Sequence, residues 1–258
     1  MSYAFCTTEA KDHILTVTIN RPERMNALHP PANLELGEVF DAFDADPDLW
    51  VAIITGAGDR AFSAGNDLRY QAEGGKRGPM PLGFGGLTSR FNMSKPVIAA
   101  VNGVAMGGGF EIALACDIIL ASKTARFALP EPKVGLAALA GGLHRLPRQI
   151  GTKAALGMIL TGRHVPAEEG LQLGFVNEVT EPEALMERAR AWAAMICECA
   201  PLSIRASKEV AYHGLSHASL EDAMAASYPG VKAMVESQDF IEGPKAFAEK
   251  RPPNWKGC

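Results

Sequence analysis

The chain has 258 residues, 47% hydrophobic and 21% charged, so it can bury a full core and lacks the composition of a disordered protein. Its net charge of −4 and pI near 5.9 provide no basic field for a phosphate backbone, which argues against a nucleic-acid partner. The N-terminus does not resemble a signal peptide, no run reaches the roughly 18 apolar residues of a membrane span, and five cysteines without a CxxC pair indicate reduced thiols. These features predict a cytoplasmic protein with no membrane partner.

The first half of the chain alternates strand and helix patterns. Residues 14–20 alternate Leu15, Val17 and Ile19 with threonines, which is the period of a strand with one buried face. Residues 33–44 repeat apolar side chains at helical spacing, and Asp46-Pro47 ends that helix. Strand patterns then occupy residues 50–56, 95–103 and 117–122, with a helix pattern at 107–116. Strands that alternate with helices predict an α/β core.

From residue 142 onward the patterns are mostly helical. Leu185, Ala189, Trp192 and Ile196 form one apolar stripe, and further helices are expected between residues 202 and 247. We therefore divide the chain into an α/β core, residues 1–200, and a C-terminal helical region, residues 201–258. A glycine- and proline-rich segment, residues 71–86, is expected to be a mobile surface loop, with a lid over a ligand as the alternative.

Two small-residue turns are candidates for holding an oxygen anion. Gly107, Gly108 and Gly109 precede an apolar run, and a helix N-terminus there would offer unpaired N–H groups that a ligand can approach closely. The turn "AFSAGNDL", residues 61–68, could expose further N–H groups. Two donors aimed at one developing oxyanion can each contribute roughly 3 kcal/mol of transition-state stabilisation. The alternatives are tight packing of the helix against a sheet, and a plain loop in which Asp67 caps a helix.

Glu111 and Glu131 are the candidate acid and base. Glu111 lies within the apolar run that follows the glycines, so we expect its carboxyl group to point into an enclosed place. Glu131 stands between Pro130 and Pro132, a rigid setting that fixes the direction of its side chain. Two carboxyl groups in apolar surroundings can separate their pKa values, so that one holds a proton while the other accepts one. A structural salt bridge is the alternative for each acid.

The chain lacks the motifs of several other site classes. It contains neither GxGxxG nor GxxxxGK[ST], so neither a dinucleotide-binding fold nor a P-loop is supported. It contains no GxSxG, and its six histidines do not form HExxH. The sequence therefore implies no metal and no redox cofactor.

Several segments occur together in a recognisable order. They are "RPERMNAL", "FSAGNDL", "KPVIAAVNGVAMGGGFEIALACDIILAS", "FALPEPKVGL", "GGLHRLPRQIG" and a terminal "FAEKRPPNWKG". In order and spacing, from about residue 14 to residue 256, they resemble the enoyl-CoA hydratase/isomerase (crotonase) superfamily. The resemblance implies a crotonase-like α/β spiral of ββα repeats with a C-terminal helical trimerisation region, giving a homotrimer or a hexamer built from two trimers. It also implies an acyl-CoA thioester substrate, with CoA as part of the substrate and no separate cofactor.

The resemblance also implies a role for each candidate residue. The backbone N–H groups of Asn66 and Gly108 match the family's oxyanion hole, which would hold the thioester oxygen as it gains enolate charge. Glu111 and Glu131 match the two glutamates of the hydratases. Glu111 would help to activate water for attack at Cβ, and Glu131 would exchange the proton at Cα. The resemblance therefore favours a lyase that adds water to a 2-enoyl-CoA thioester or removes it to form one.

Contacts to CoA are implied in the same way. Segments around residues 25–27 and 64–68 match those that hold the adenine and pantetheine in relatives. A basic position near the C-terminus can approach the CoA phosphates, often from a neighbouring subunit. The matching residues are Met25, Ala27, Ala64, Asp67, Leu68 and Lys250.

The sequence departs from common family members near the acyl pocket. "AGNDLRY" has asparagine where relatives often have alanine, and "GLAALAGGLHRLP" differs from the "GxxPGxGGTQRLP" pattern of many fatty-acid hydratases. A main-chain N–H survives such changes, whereas the preference for a straight acyl chain need not. "FALPEPKVGL" is similar to carnitinyl-CoA dehydratase-like members. A double-bond isomerase that uses one glutamate and, in another class, a non-catalytic acyl-CoA-binding protein stay open as alternatives.

Overall fold

Ten strands form two sheets in the computed structural model, which describes residues 3–76 and 78–258. Five of these strands have five or six residues, and the remaining five have two or three. In chain order they are β1 (Cys6–Lys11), β2 (Ile14–Ile19), β3 (Val51–Gly56), β4 (Ala61–Ser63), β5 (Val97–Val101), β6 (Val104–Met106), β7 (Ile118–Ser122), β8 (Arg126–Ala128), β9 (Val165–Pro166) and β10 (Glu178–Thr180).

The two sheets are built from a repeated pair of strands. The larger sheet has the order β1-β2-β3-β5-β7-β10, in which only the β1–β2 hairpin is antiparallel. The smaller sheet has the order β4-β6-β8-β9, with β9 antiparallel to β8. The successive pairs β3–β4, β5–β6 and β7–β8 each place one strand in each sheet. This arrangement agrees with the predicted ββα repeat.

Helices complete the repeats and form the C-terminal third. In the described part of the chain they are α1 (Pro30–Ala45), α2 (Leu68–Ala72), α3 (Gly108–Ala115), α4 (Gly142–Ile150), α5 (Thr152–Thr161), α6 (Ala167–Leu173), α7 (Leu185–Cys197), α8 (Pro201–Gly214), α9 (Leu220–Ala225), α10 (Pro229–Val235) and α11 (Gln238–Glu249). α2 follows β4, α3 follows β6, and a 3₁₀ turn, Glu131–Val134, follows β8. These three segments lie at the ends of neighbouring short strands, where the candidate site residues occur.

The larger sheet is covered on both faces. Alternate side chains of a strand point to opposite faces, so Ile54 of β3 packs in the cluster that contains Phe40 of α1 and Phe110 of α3. Ile53 packs in a second cluster with Leu185 and other residues of α7. β3 and β5 are buried at every position, which explains why their sequences are nearly continuous apolar runs.

The predicted elements agree with the structure where apolar periodicity is strong. The strand at 14–20, the helix at 33–44 and the apolar stripe of α7 are confirmed, and α1 ends at Ala45 before Asp46-Pro47. β1 and the short strands β4, β6, β8, β9 and β10 were not predicted. β1 buries only Cys6 and has no apolar alternation, and a strand of two or three residues is too short to carry a periodic signal.

The surface-loop prediction for residues 71–86 is wrong at its C-terminal end. Phe84, Gly85 and Gly86 form a buried 3₁₀ turn that packs against α1 and α3. Gly85 and Gly86 have φ values of 62° and 68°, which only glycine adopts easily, so the turn needs its glycines. Arg77 of this segment lies outside the described residues. Whether the segment acts as a lid stays a prediction.

The C-terminal helical region begins with α8 at Pro201 and exposes several large apolar side chains. Those more than half exposed are Leu215, Leu220, Met224, Phe240, Ile241 and Phe247. The division at residue 200 and the trimeric or hexameric assembly stay predictions. No helix in residues 3–76 and 78–258 combines the length and apolarity that crossing a membrane requires. The five cysteines are free thiols.

Candidate functional site

The triple glycine forms the N-terminus of α3. Gly107 is the N-cap residue, with φ 53°, and its own N–H donates to the Ala128 carbonyl oxygen at 2.9 Å. Gly108 and Gly109 open the helix, so their N–H groups have no partner inside it. The helix dipole adds partial positive charge at this point. The predicted helix start is therefore confirmed, and it offers donors to an anionic oxygen.

The second turn, residues 63–67, meets this helix end. Leu28 forms a parallel bridge with Asn66, donating to the Gly65 carbonyl at 2.8 Å and accepting from the Asp67 N–H at 3.0 Å. In a parallel bridge the N–H of the central residue points away from its partner, so the Asn66 N–H points away from Leu28. Asn66 and Gly108 therefore each present a backbone N–H that β-pairing or the helix leaves free.

Gly65 brings the two turns into contact. It has φ 84°, and a Cβ at this position would lie 2.5 Å from the Met106 carbonyl oxygen and 2.9 Å from the Gly108 nitrogen. A Cβ on Gly109 would likewise overlap the Ser63 carbonyl oxygen. Only glycine fits at either position without moving the backbone, so these residues let Asn66 and Gly108 lie in adjacent turns.

Glu111 points into the enclosed interior, as expected. Only 3% of it is exposed, and its Oε1 accepts a hydrogen bond from the Gly142 N–H at 2.8 Å. The pKa of Glu111 is raised to about 7. Burial is the main cause, the Gly142 N–H opposes the shift, and the nearby Glu131 carboxyl adds to it. Glu111 is therefore close to half ionised near neutral pH, which suits a group that both takes and gives a proton.

Glu131 lies on the other side of the α3 N-terminus. It opens the 3₁₀ turn after β8, and its Oε1 lies 2.7 Å from the position that a Cβ on Gly107 would occupy. Its Oε2 is buried and has no hydrogen-bond partner within the described residues. Burial raises the pKa of Glu131. Neither Glu131 nor Glu111 forms an ion pair with any described residue, so the salt-bridge alternative is wrong for both.

The Phe84 ring also lies against the N-terminus of α3. Its ring carbons lie 2.5 to 2.9 Å from the position that a Cβ on Gly108 would occupy, so the ring lies directly against that glycine. Hydrogen bonds fix the turn, because the Phe84 N–H donates to Thr88 Oγ1 at 2.7 Å and the Gly85 N–H donates to Asn33 Oδ1 at 2.6 Å. Phe84 thus supplies an apolar wall beside the free N–H groups.

The segment around residues 25–27 contacts the second turn. Met25 has φ 54°, and its carbonyl oxygen accepts from the Ala64 N–H at 2.9 Å. The Ala27 carbonyl oxygen accepts from the Arg21 guanidinium group. Met25, Ala27 and Ala64 therefore lie together beside the candidate site, although the Ala27 carbonyl and the Ala64 N–H are already paired within the protein.

Asp67, Leu68 and Lys250 have different surroundings. Asp67 caps α2 by accepting from the Tyr70 N–H at 3.0 Å and pairs with buried Arg21 at 3.0 Å, so the capping alternative is confirmed. Leu68 is 45% exposed. Lys250 is the exposed C-cap residue of α11, and among the described residues no hydrogen bond or ion pair joins its side chain to another candidate. The structure therefore brings the candidates together except Lys250.

Two residues of the site were missed by sequence reasoning. Phe84 lies in a segment whose glycine and proline content predicts a loop, and Arg145 was noted only as part of "GGLHRLPRQIG". Arg145 Nη2 donates to the Thr88 carbonyl oxygen at 2.9 Å, close to α3. Local sequence carries no signal for such contacts. In the described residues no cluster of three or more His, Cys, Asp or Glu side chains has the arrangement of a metal site.

The chain was compared with known proteins. A family model described as enoyl-CoA hydratase/isomerase matches residues 9–258. The carnitinyl-CoA dehydratase of Escherichia coli K12 is 48% identical over 250 residues, which are 95% of this chain and 95% of that protein. A crystal structure of an enoyl-CoA hydratase from Mycobacterium marinum matches with a TM-score of 0.92 and 40% identity, covering 98% of this chain and 99% of that one. A crystal structure of a carnitinyl-CoA hydratase from Mycobacterium avium matches with a TM-score of 0.79 and 39% identity over the full length of both chains. These matches confirm the predicted fold.

Proposed function

The chain belongs to the enoyl-CoA hydratase/isomerase (crotonase) family, and from that premise we propose that it is a hydro-lyase that interconverts 2-enoyl-CoA and 3-hydroxyacyl-CoA thioesters. The observation that carries the proposal is the pair of carboxyl groups, Glu111 and Glu131, beside the free N–H groups of one helix end. Both carboxyl groups have raised pKa values, and neither forms an ion pair with another described residue. This arrangement supports the roles that the family resemblance implies for the two glutamates.

The Asn66 and Gly108 N–H groups would act on the thioester carbonyl. As water adds at Cβ, the electron pair of the double bond moves toward the carbonyl oxygen, which gains enolate charge. Two backbone donors in a site walled by Phe84 stabilise that charge more strongly than water does, because they are fixed before the reaction. The glycines are needed because a Cβ on Gly107 would overlap the Glu131 carboxyl group and a Cβ on Gly108 would overlap the Phe84 ring.

The two glutamates would divide the proton transfers. In hydration, ionised Glu111 takes a proton from water as the hydroxyl group bonds to Cβ, and protonated Glu131 gives its proton to Cα. Burial raises the pKa of both carboxyl groups, so each holds a proton more readily than a free glutamate does. Dehydration runs the same steps in reverse, and moving one proton between the acids restores the starting state.

We propose a carnitinyl-type acyl group as the first substrate to test. The support is the 48% identity to a carnitinyl-CoA dehydratase, together with a second structural relative that is named for carnitinyl-CoA. Dehydration of that thioester gives a 2-enoyl-CoA with a trimethylammonium group at C4. Comparison with the 5,5-dimethyl-2-hexenoyl thioester isolates the charge, because a tert-butyl group replaces the trimethylammonium group at similar volume. A higher kcat/KM for the cationic thioester is expected, and equal values would contradict this choice of acyl group.

The reaction is tested by following the loss of enoyl-thioester absorbance and identifying the product by mass spectrometry and chromatography. Glu111→Gln and Glu131→Gln keep side-chain size and remove proton transfer, so each is expected to lower kcat at least about 100-fold. Glu183→Gln changes an exposed glutamate and serves as the matched control. Hydration that survives either substitution would contradict the two-acid mechanism.

Other outcomes identify the alternatives. An isomerase would move the double bond and release no 3-hydroxyacyl-CoA, and it would need only one of Glu111 and Glu131. A non-catalytic binding protein would bind CoA thioesters tightly and turn over none of the panel. Either result would replace the hydro-lyase proposal while leaving family membership intact.

We also propose that the chain assembles as a homotrimer or a dimer of trimers through its C-terminal helices. The support is the large exposed apolar side chains on α9 and α11, which a monomer would leave in water. Analytical ultracentrifugation gives the mass directly, and a monomer at micromolar concentration would contradict the assembly.

A further inference from the structure

Arg145 links two parts of the candidate site. It lies in α4, whose first residue, Gly142, donates its N–H to Glu111. Its guanidinium group folds back against Gly141, where an added Cβ would overlap Nη1, and Nη2 donates to the Thr88 carbonyl oxygen at 2.9 Å. The side chain therefore spans from the helix end that binds Glu111 to the segment that carries the apolar wall.

Thr88 is bonded to both Arg145 and Phe84. While the Thr88 carbonyl accepts from Arg145, its Oγ1 accepts from the Phe84 N–H at 2.7 Å. The guanidinium group also lies 5.8 Å from the centre of the Phe91 ring, within the range of a cation–π contact. Arg145 thus contacts the middle and the C-terminal end of the 84–91 segment, and that segment holds Phe84 against Gly108.

The charge of Arg145 also reaches Glu111. Its positive charge lowers the pKa of Glu111, in opposition to burial and to Glu131. The other titratable groups that face Arg145 are Tyr212 of α8 and Cys116 at the end of α3. Desolvation raises the pKa of both, so both are neutral at neutral pH. The guanidinium group therefore lies beside Gly141, next to the Gly142 N–H that binds Glu111, and its charge opposes the rise in the Glu111 pKa.

We propose that Arg145 is a positioning residue that ties the α4 N-terminus to the Phe84 wall and holds its positive charge on the Glu111 side of that helix end. The inference rests on the proposed function, in which ionised Glu111 accepts a proton from water. Arg148 offers a matched control, since it lies one turn along the same helix, exposed, with Nη1 donating only to the His144 carbonyl oxygen at 2.8 Å.

The charge effect is measured without turnover. Protein labelled with ¹³C at the glutamate carboxyl carbons is titrated by NMR in a Glu131→Gln background, and the Glu111 signal is identified by its absence in Glu111→Gln. Arg145→Gln is expected to move the Glu111 midpoint to higher pH, because a nearby positive charge is removed. Arg145→Lys, which keeps the charge, and Arg148→Gln are expected to leave it in place. An unchanged midpoint in folded Arg145→Gln overturns the proposal. If Arg145→Gln does not fold, a raised midpoint in Arg145→Lys overturns it instead, and an unchanged one supports it.

The same variants, with Glu131 restored, are assayed for hydration across pH. In Arg145→Gln the acidic limb of the pH profile of kcat/KM should move to higher pH. KM should also stay above the wild-type value at pH 9, because the hydrogen bond to Thr88 is lost. Arg145→Lys should keep the limb of the wild type and show only the raised KM. A uniform loss at every pH would overturn the proposal. Because the NMR midpoint needs no substrate, failure of the hydro-lyase proposal and failure of this inference give different results.

Discussion

Gly65→Ala should separate the two turns that carry the proposed oxyanion donors. The new methyl group would lie 2.5 Å from the Met106 carbonyl oxygen, and reaching a contact of 3.4 Å requires a backbone shift of about 0.9 Å. It would also lie 2.9 Å from the Gly108 nitrogen, so the shift acts on one of the donors. A displacement of about 1 Å can lower a rate by about 100-fold, and we expect that loss in kcat/KM.

The matched control is Gly174→Ala. Gly174 has φ 91°, close to the 84° of Gly65, but a Cβ there meets no atom within 4 Å. Both variants therefore carry the strain of a left-handed alanine, about 1 kcal/mol, and only one disturbs the turns. Activity is measured by the loss of enoyl-thioester absorbance, and stability by guanidinium unfolding. If folded Gly65→Ala hydrates its substrate within threefold of Gly174→Ala, the convergence of the two turns does not serve catalysis and the reasoning is refuted.

Three further predictions concern stability and CoA. Arg21→Met leaves the buried Asp67 carboxylate without its ion-pair partner, so guanidinium unfolding should show a loss of about 3 to 5 kcal/mol, and a loss below about 1 kcal/mol would contradict this. Lys250→Gln should raise KM for CoA thioesters about threefold to tenfold at unchanged kcat, whereas Lys245→Gln on the same helix should not, and equal KM values would remove Lys250 from the CoA site. Because the pKa of Glu111 is raised from 4.5 to about 7, the wild type loses stability as pH rises through that interval and the buried carboxyl group ionises. In urea unfolding, the free energy of unfolding of Glu111→Gln should therefore gain about 3 kcal/mol relative to wild type between pH 4.5 and pH 8. A difference that does not change with pH would contradict the burial of Glu111 as an acid.

Much of the site could be predicted because its parts break local rules in the sequence. Three glycines before an apolar helix and an acid within that helix are unfavourable for packing, and both proved to lie at the site. The prolines beside Glu131 likewise marked a rigid turn, which the structure contains as a 3₁₀ turn. Each of these signals lies within a few residues of the group that it describes, so no tertiary information was needed.

The remaining features depend on contacts between distant segments. Asn26 is fully buried and holds the second turn, accepting from the Arg21 N–H at 3.0 Å and donating to the Ala61 carbonyl oxygen at 2.7 Å. Nothing in "RMNAL" distinguishes it from an ordinary loop asparagine. Phe84 was hidden for the same reason, since the burial of a glycine-rich turn is decided by α1 and α3 rather than by its own residues.

The burial of Glu111 is difficult to explain by stability alone. Its hydrogen bond to the Gly142 N–H could be made by a neutral side chain, and no cation in the described part of the chain forms an ion pair with it. Glu131 shows the same pattern, because its Oε2 is buried without a partner among the described residues. One such group could be an accident of packing, but two of them flank the same helix end, and Gly107 and Gly142 leave the space that each carboxyl group fills. Burial that is unfavourable at two converging acids indicates a site shaped for proton transfer to a ligand.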